Sequence, residues 1–414
     1  MDGTGKIMAV DSDICGLKVG DEHPVRLMGV INLSQESFYK NSVIDKDSII
    51  NTAQNMVDEG ATMIDVGGRS TWPLAEKITK KQETERLVPA LEELKGNVDA
   101  VISVDTMFAD IAEESLKRGA DVVNDVSGLT ADSGMVDLIA DYDCPAVVMA
   151  SYQTPGDPVG MDAVMDSLSS IIKKAESKDI DPNKLILDPA FGKWVTEKDP
   201  IYDFETADQF ERLKIFEKPL LAAVSRKSMI KAVTGKPAEE RLYGSLAATS
   251  LVVHKGTDII RTHDIPQTKD VVDVAKAIRS RNPYVRKNGF EVSVLDVTHP
   301  SDAAYLIQSI GATTSSSNVM KKKSVYRVLR INKITTTEAL IIKQEMLARG
   351  ADAAISRDAV SHEDESTDVI LMGTLLQIEQ LVDKLSCQAR NLPLIADMIE
   401  ETLEQYTDTK YLYQ

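Results

Sequence analysis

Leu185-Ile186-Leu187-Asp188-Pro189-Ala190-Phe191-Gly192-Lys193 sets a carboxylate at the end of a short apolar run, just before a Pro and a Gly that break the chain. The same arrangement recurs through the first two thirds of the sequence. Asn32, Asp65, Asp105, Asn124, Lys227, Arg261 and His263 each sit at or just beyond the C-terminal end of such a run. Eight runs read as strands: 26–31, 62–66, 101–104, 121–123, 145–149, 184–187, 219–224 and 257–260. Their nearly continuous apolar character fits parallel strands covered by helices. Helical patterns alternate with them at 47–59, 82–95, 107–118, 133–141, 161–177, 205–215, 239–254 and 268–281. Asp45 or Asp47 is placed to cap the first of these and Asp105-Thr106 the third, and Gly60, Gly119 and Gly256 mark stops. A barrel closing these strands in order brings every polar strand end to one rim, where (β/α)8 enzymes assemble their sites. A doubly wound open sheet is the competing architecture.

At 414 residues, with 43% apolar content, the chain has room for a barrel and a smaller second domain. The turn-rich stretch 282–290 separates a barrel over 1–284 from a C-terminal α/β extension over 285–414. In the extension, strands are expected at 290–297, 324–331 and 367–372, and helices at 301–310, 335–349, 374–388 and 393–406, with Thr335 to Thr337 capping the second and Gly350 ending it. Residues 312–323 read as a mobile loop, and Lys321 to Lys323 as a solvated face with anion contact as the sharper reading. Residues 1–20 read as a lead-in, with a short hairpin that plugs the barrel's bottom. A net charge of −18 argues against a nucleic-acid surface and means that an anionic substrate needs a local cationic patch. Cys15, Cys144 and Cys387 have neither metal-type nor disulfide-type spacing, which suits a reducing cytoplasm, and Cys144 reads as core. No signal peptide or membrane-spanning stretch is expected.

A carboxylate and an amide on neighbouring strands, Asp105 and Asn124, match a flat heterocycle bearing amino and ring N–H donors. Asp188 adds a third polar strand end. Structural salt bridges are the plainer reading, since a buried carboxylate is costly unless paired. Ser225-Arg226-Lys227 and Arg261-Thr262-His263-Asp264 follow the seventh and eighth strands, where many barrels bind phosphate. Asp65-Val-Gly67-Gly68-Arg69-Ser70-Thr71-Trp72 offers close backbone approach, hydroxyls and a cation. Taken alone, Asn32 reads more readily as a turn residue than as a ligand. Without a Ser-His-Asp, Cys-His, zinc or Walker pattern, displacement of an anionic leaving group fits better than covalent hydrolysis.

These stretches resemble the dihydropteroate synthases. Eight motifs run in the family's order: Met28-Gly-Val-Ile-Asn32-Leu-Ser-Gln-Glu-Ser-Phe38, Asp65-Val-Gly-Gly-Arg-Ser-Thr71, Val104-Asp-Thr106, Asn124-Asp-Val-Ser-Gly128, Leu187-Asp-Pro189, Ser225-Arg-Lys227, Gly244-Ser-Leu-Ala-Ala248 and Asp258-Ile-Ile-Arg-Thr-His-Asp264. Lys343-Gln-Glu-Met346 and Met372-Gly373-Thr374 resemble pieces of the extension in long-form members. The resemblance implies a TIM barrel that joins 6-hydroxymethyl-7,8-dihydropterin diphosphate to an aryl amine and releases diphosphate. It assigns Asp105, Asn124, Asp188 and Lys227 to the pterin ring, and Asn32, Arg261 and His263 to the diphosphate, with Asn32 touching Mg²⁺. Glu36 would face the developing charge on the methylene carbon, so Lys227, Asp105 and Glu36 carry the catalysis. Phe38, Thr71 and Ser228 would border the amine pocket, together with Arg69. A homodimer paired through outer helices is expected.

Three departures stand out. The family shows Glu where this chain has Arg69 and Arg where it has Trp72, and the loop after Asp188 is shortened. These changes resemble the archaeal branch, where the amine resembles 4-(β-D-ribofuranosyl)aminobenzene 5′-phosphate and the product feeds methanopterin; p-aminobenzoate, as in folate biosynthesis, is the other amine expected. A phosphate on the amine would suit the extra cation at Arg69. The rival readings are a pterin-dependent methyltransferase acting with a corrinoid protein, which needs no diphosphate clamp, and a catalytically silent pterin-binding protein.

Overall fold

The computed structural model describes residues 10–34, 48–69, 78–279, 284–288, 290–361 and 365–407. The chain divides into two compact units, Ile7–Arg281 and Asn282–Gln414.

The first unit opens with a hairpin, β1 (Asp11–Ile14) and β2 (Leu17–Gly20). Eight parallel strands follow: β3 (Arg26–Asn32), β4 (Met63–Gly67), β5 (Val101–Asp105), β6 (Val122–Asp125), β7 (Ala146–Met149), β8 (Leu185–Asp188), β9 (Leu221–Ala222) and β10 (Ile259–Thr262). Consecutive strands from β3 to β8 pair in order, and β10 lies between β9 and β3. The remaining seam, β8 to β9, is closed by the parallel bridge Leu187 to Pro219-Leu220, where Leu187 N donates to Pro219 O at 2.9 Å. A closed ring excludes the open doubly wound sheet.

Side chains on a strand alternate between faces, so every second residue points into the barrel. One inward layer takes a residue from each strand: Met28, Met63, Val101, Val122, Val147, Ile186, Leu221 and Ile259. Ile14 and Val19 of the hairpin, both fully buried, join this layer. The hairpin is thus the bottom plug expected from the sequence. Two residues further along the same strands come Asp65, Ser103, Asn124, Asp188 and Arg261. The mouth is the core layer continued in polar residues.

Helices alternate with the strands: α1 (Ile49–Asp58), α2 (Lys80–Leu94), α3 (Ala109–Arg118), α4 (Gly134–Tyr142), α5 (Met161–Glu176), α6 (Pro200–Asp208), α7 (Ser228–Thr234), α8 (Leu242–His254) and α9 (Ile265–Ile278). Two expectations need correction. The helix expected at 205–215 starts at Pro200, because Asp199 caps it by accepting from Ile201 N, and its second half is a 3₁₀ turn over Phe210–Phe216. Asp105-Thr106 does not cap α3 in the expected way. Asp132 accepts from Ala109 N at 3.0 Å, and Thr106 Oγ1 accepts only a 3.4 Å bond from Phe108 N. Asp45 and Asp47 lie outside the described residues.

In the second unit, the hairpin β11 (Tyr284–Lys287) and β12 (Phe290–Ser293) precedes α10 (Pro300–Ser309) and α11 (Thr314–Met320). The segment 312–323 is therefore not a loop: Thr313 accepts from Ser316 N as an N-cap, and buried Ser317 receives the amide of Gln308. A run of small polar residues conceals a helix that its cap and one buried contact secure. Then come β13 (Tyr326–Thr335), α12 (Thr336–Ala348), β14 (Asp352–Ile355), α13 (Arg357–Ser361), β15 (Ser366–Thr374), α14 (Leu375–Leu385) and α15 (Leu392–Thr407). The sheet is antiparallel in the order β13-β15-β14, and β14 was not foreseen. Thr335 and Glu338 form a full capping box on α12. Lys322 pairs with Glu379 at 2.8 Å, which supports the plain reading of the lysine triplet.

Candidate active site

Asn32, Gly67, Asp105 and Asn124 occupy one register row across β3, β4, β5 and β6. Gly67 lies between its neighbours in that row: a Cβ there would be in ordinary contact with Asn32 Oδ1 at 3.6 Å and Asp105 Cβ at 3.7 Å. Below it, fully buried Asp65 is the hub. Its Oδ1 accepts from Ser103 Oγ at 2.7 Å, and its Oδ2 accepts from Asn124 Nδ2 at 3.1 Å and Arg261 Nε at 2.7 Å. Arg261 Nη2 also donates to Asp105 Oδ2 at 3.2 Å. Arg261, expected on the diphosphate alone, is thus forked between two carboxylates. Burial works against its charge, but Asp65 and Asp105 more than offset that and raise its pKa. Asp65 carries the same strand-end signal as its neighbours, yet the sequence reading gave it no role.

Burial, then the negative charge of Asp65, pushes the Asp105 carboxyl up to about 7, against the pull of Arg261. Burial raises Asp188 as well, opposed by the Ala190 N–H that donates to its Oδ1 at 2.7 Å and by Lys227. Lys227 is lowered to about 8, first by burial and then by Arg261, with Asp188 and Asp203 pulling the other way. His263 is driven down to about 3 by burial and by Arg261, Lys227 and Arg226, so its imidazole is neutral at physiological pH. Ser225 Oγ lies 3.0 Å from His263 Nδ1.

The loops after β9 and β10 are fastened to each other. Arg226, at a left-handed φ of +57°, donates from Nε and Nη2 to Asp264 at 3.0 and 2.6 Å and from Nη1 to the carbonyls of Ala238 and Glu239. Arg226 is therefore a strut that holds Lys227 and His263 in place. Arg69 is likewise engaged. Its Nε donates to buried Glu83 at 2.6 Å, Thr106 Oγ1 donates to the other Glu83 oxygen at 2.8 Å, and the guanidinium lies over Phe108. Glu36, Phe38, Thr71 and Trp72 lie outside the described residues. Ser228 starts α7, and its buried Oγ has no hydrogen-bond partner among the described residues; the same holds for Ser34 Oγ.

Several polar atoms are left over at this mouth. Among the described residues, Asp105 Oδ1, Asn124 Oδ1 and Asp188 Oδ2 accept no hydrogen bond, and Lys227 Nζ and Arg261 Nη1 donate none. Three acceptors beside two cationic donors suit a flat heterocycle with both N–H and carbonyl edges.

The profile of the family described as pterin binding enzyme matches residues 28–263. A probable bifunctional folylpolyglutamate synthase/dihydropteroate synthase of Halobacterium salinarum is 34% identical over 264 residues, which is 61% of this chain and 31% of the relative. The dihydropteroate synthase of Bacillus subtilis is 32% identical over 264 residues, 64% of this chain and 90% of the relative. A solved dihydropteroate synthase of Coxiella burnetii in complex with pteroic acid superposes with a TM-score of 0.57 at 30% identity, covering 62% of this chain and 94% of that one. The chain thus spans about a third of the Halobacterium protein and most of the two bacterial ones.

Proposed function

Since the chain belongs to the dihydropteroate synthase family of pterin-binding enzymes, we propose that it condenses 6-hydroxymethyl-7,8-dihydropterin diphosphate with p-aminobenzoate and releases diphosphate. A bond forms between the amine nitrogen and the pterin methylene carbon. The bond from that carbon to the diphosphate oxygen breaks, and the amine gives up a proton. The observation that carries this reading is the set of unpartnered atoms on Asp105, Asn124, Asp188, Lys227 and Arg261. None of these atoms is fully buried, so each can be reached from the mouth by a ligand that replaces water.

Asp105, Asn124 and Asp188 accept the N–H groups of the ring, and Lys227 donates to its acceptor edge. Arg261 Nη1 and neutral His263 face the diphosphate. Ser225 Oγ lies within hydrogen-bond distance of Nδ1, and neutral His263 keeps a single ring N–H to donate. The chain's part in the reaction is charge placement around a departing anion and orientation of the amine.

Mg²⁺ enters this proposal as a companion of the diphosphate. Among the described residues no group of three or more His, Cys, Asp or Glu is placed to hold a metal ion, and Asn32 offers one amide oxygen. That donor set fits a cation that keeps its waters and takes phosphate oxygens. When bound, it supplies positive charge to the leaving group.

Arg69 no longer motivates a phosphorylated amine, because Glu83 already matches its charge. A homodimer belongs to the same proposal. Exposed Tyr243 and Leu251 on α8 and Val274 and Ile278 on α9 supply apolar surface on outer helices. Among the described residues, no helix is long and apolar enough to cross a membrane.

The test is a product assay by mass spectrometry that offers p-aminobenzoate and its ribofuranosyl phosphate relative side by side. The expected result is pteroate-type product with matching diphosphate release. Preference for the ribosylated amine corrects the substrate, and no product with either amine defeats the reading.

A further inference from the structure

One of the eight motifs, Gly244-Ser-Leu-Ala-Ala248, has no part in the site described so far. It lies in the first turns of α8, against the turn that joins β9 to α7. That turn pivots on Arg226, whose left-handed φ of +57° is a conformation that a residue with a Cβ seldom adopts. Both polar groups of the Arg226 backbone are held from the start of α8. Its N–H donates to Ser245 Oγ at 2.8 Å, and its carbonyl accepts from Arg241 Nη1 at 2.8 Å. The two holders are joined to each other, because Ser245 Oγ donates to Arg241 O at 2.9 Å. Arg241 also reaches the carbonyl of Lys227 from Nη1 at 3.5 Å and that of Lys236 from Nε at 2.9 Å. Arg226, Arg241 and Ser245 are all buried. Gly244 permits the approach: a Cβ there would come within 2.4 Å of Ile230 Cγ2 on α7.

Lys227 is the next residue, so the backbone of Arg226 sets where its stem begins. Beyond that point the stem has little play. A Cβ at Gly192 would lie 3.2 Å from Lys227 Cδ, and Nζ lies 5.5 Å from the centroid of the Trp194 ring. A displacement of the Lys227 backbone is therefore carried to its ammonium. We propose that Ser245 and Arg241 are positioning residues for Lys227: they hold the Arg226 main chain in its left-handed turn, and that turn aims the ammonium at the pterin. This inference rests on the condensation proposed above, in which Lys227 donates to the ring. The role is separate from that of the Arg226 guanidinium, whose bonds to Asp264 fasten one loop to another. The start of α8 grips the main chain instead, from the N–H side through a hydroxyl and from the carbonyl side through a guanidinium. Small errors in placing such a group are costly, because the geometry of a bound substrate leaves little tolerance.

The test is a double-mutant cycle on the full chain, read as kcat/KM for the dihydropterin diphosphate with the aryl amine saturating. Ser245→Ala leaves the buried Arg226 N–H without its acceptor and is expected to lower kcat/KM about tenfold. In a Lys227→Ala background the same change is expected to cost less than about twofold, because the group it positions is gone. Its effect on Tm is expected to be equal in the two backgrounds, since the hydrogen bond is lost in both. Arg241→Met keeps a long stem and removes the donors. It repeats the cycle from the carbonyl side and decides the matter where Ser245→Ala folds poorly. A fall in kcat/KM by the same factor in both backgrounds, or no fall in either, overturns the positioning role and leaves the functional reading standing. A parent that releases no diphosphate with any aryl amine overturns the functional reading, and the positioning role falls with it.

Discussion

The two ends of the barrel are made from the same strands and treat charge in opposite ways. At the floor, Asp21 accepts from Val10 N at 3.2 Å, Lys214 Nζ at 3.1 Å and Arg279 Nη2 at 2.8 Å, beneath the apolar layer of Ile14 and Val19. Burial opposes that carboxylate, but its cationic partners, Lys214 foremost, bring its pKa below the usual range. At the mouth, Asp65 is equally well partnered, yet Asp105, Asp188, Lys227 and Arg261 each keep a polar atom unused. Asp21 and Asp65 have both carboxylate oxygens engaged, whereas the charges that await a ligand are held in place by one bond and left open at another.

Asp65 is where the two regimes meet, and altering it is expected to have the largest effect. Asp65→Asn removes the charge that faces Arg261 in a fully buried position. Breaking such a pair costs about 3–5 kcal/mol, readable as a lowered denaturation midpoint at neutral pH. Arg261 would then fall to Asp105 alone, and the Asp105 carboxyl would drop, since Asp65 is among the groups that raise it. A variant with parental stability would show that the hub is dispensable and would blur the contrast between the ends.

The mouth should also announce itself in pH. Asp105 must be ionised to accept an N–H, and Lys227 must be protonated to donate. With the first near 7 and the second near 8, kcat/KM for the pterin substrate is expected to rise through about pH 7 and fall above about pH 8. Asp105→Asn should erase the acid limb, and Asp65→Asn should move it to lower pH. Lys227→Ala should erase the basic limb and lower kcat/KM at least about tenfold, as expected for loss of a charged hydrogen bond. His263 plays no part in either limb, because its pKa lies near 3.

The sequence disclosed the barrel because polar residues mark the ends of seven of its eight strands, and repetition survives errors at single boundaries. It placed Asp105, Asn124, Asp188 and Lys227 at one mouth for the same reason. It did not disclose which cations are already engaged. Arg226, Arg261 and Arg69 look alike in one dimension, and only three-dimensional pairing shows Arg226 spent on Asp264, Arg69 on Glu83, and Arg261 divided between two acids. Helix α11 was missed because its composition is that of a loop and its stability rests on Thr313 and the buried Ser317.

The smallest effect tests the floor. Asp258, 3% exposed, gives one oxygen to Leu220 N at 3.0 Å, while its buried Oδ1 has no partner among the described residues. Burial and the nearby Asp21 push its pKa up to about 6, against the pull of Arg279 and Lys276. The folded state therefore holds this proton more tightly than the unfolded chain does. Its contribution to stability is full below about pH 4 and is lost as pH rises through about 6, a difference on the order of 3 kcal/mol at most. Asp258→Asn keeps the acceptor for Leu220 and removes the titration. It is expected to raise Tm by a few degrees at pH 8 and by less at pH 5. An equal shift at both pH values would mean that Asp258 is matched like Asp21, and that the floor has no exception to its rule.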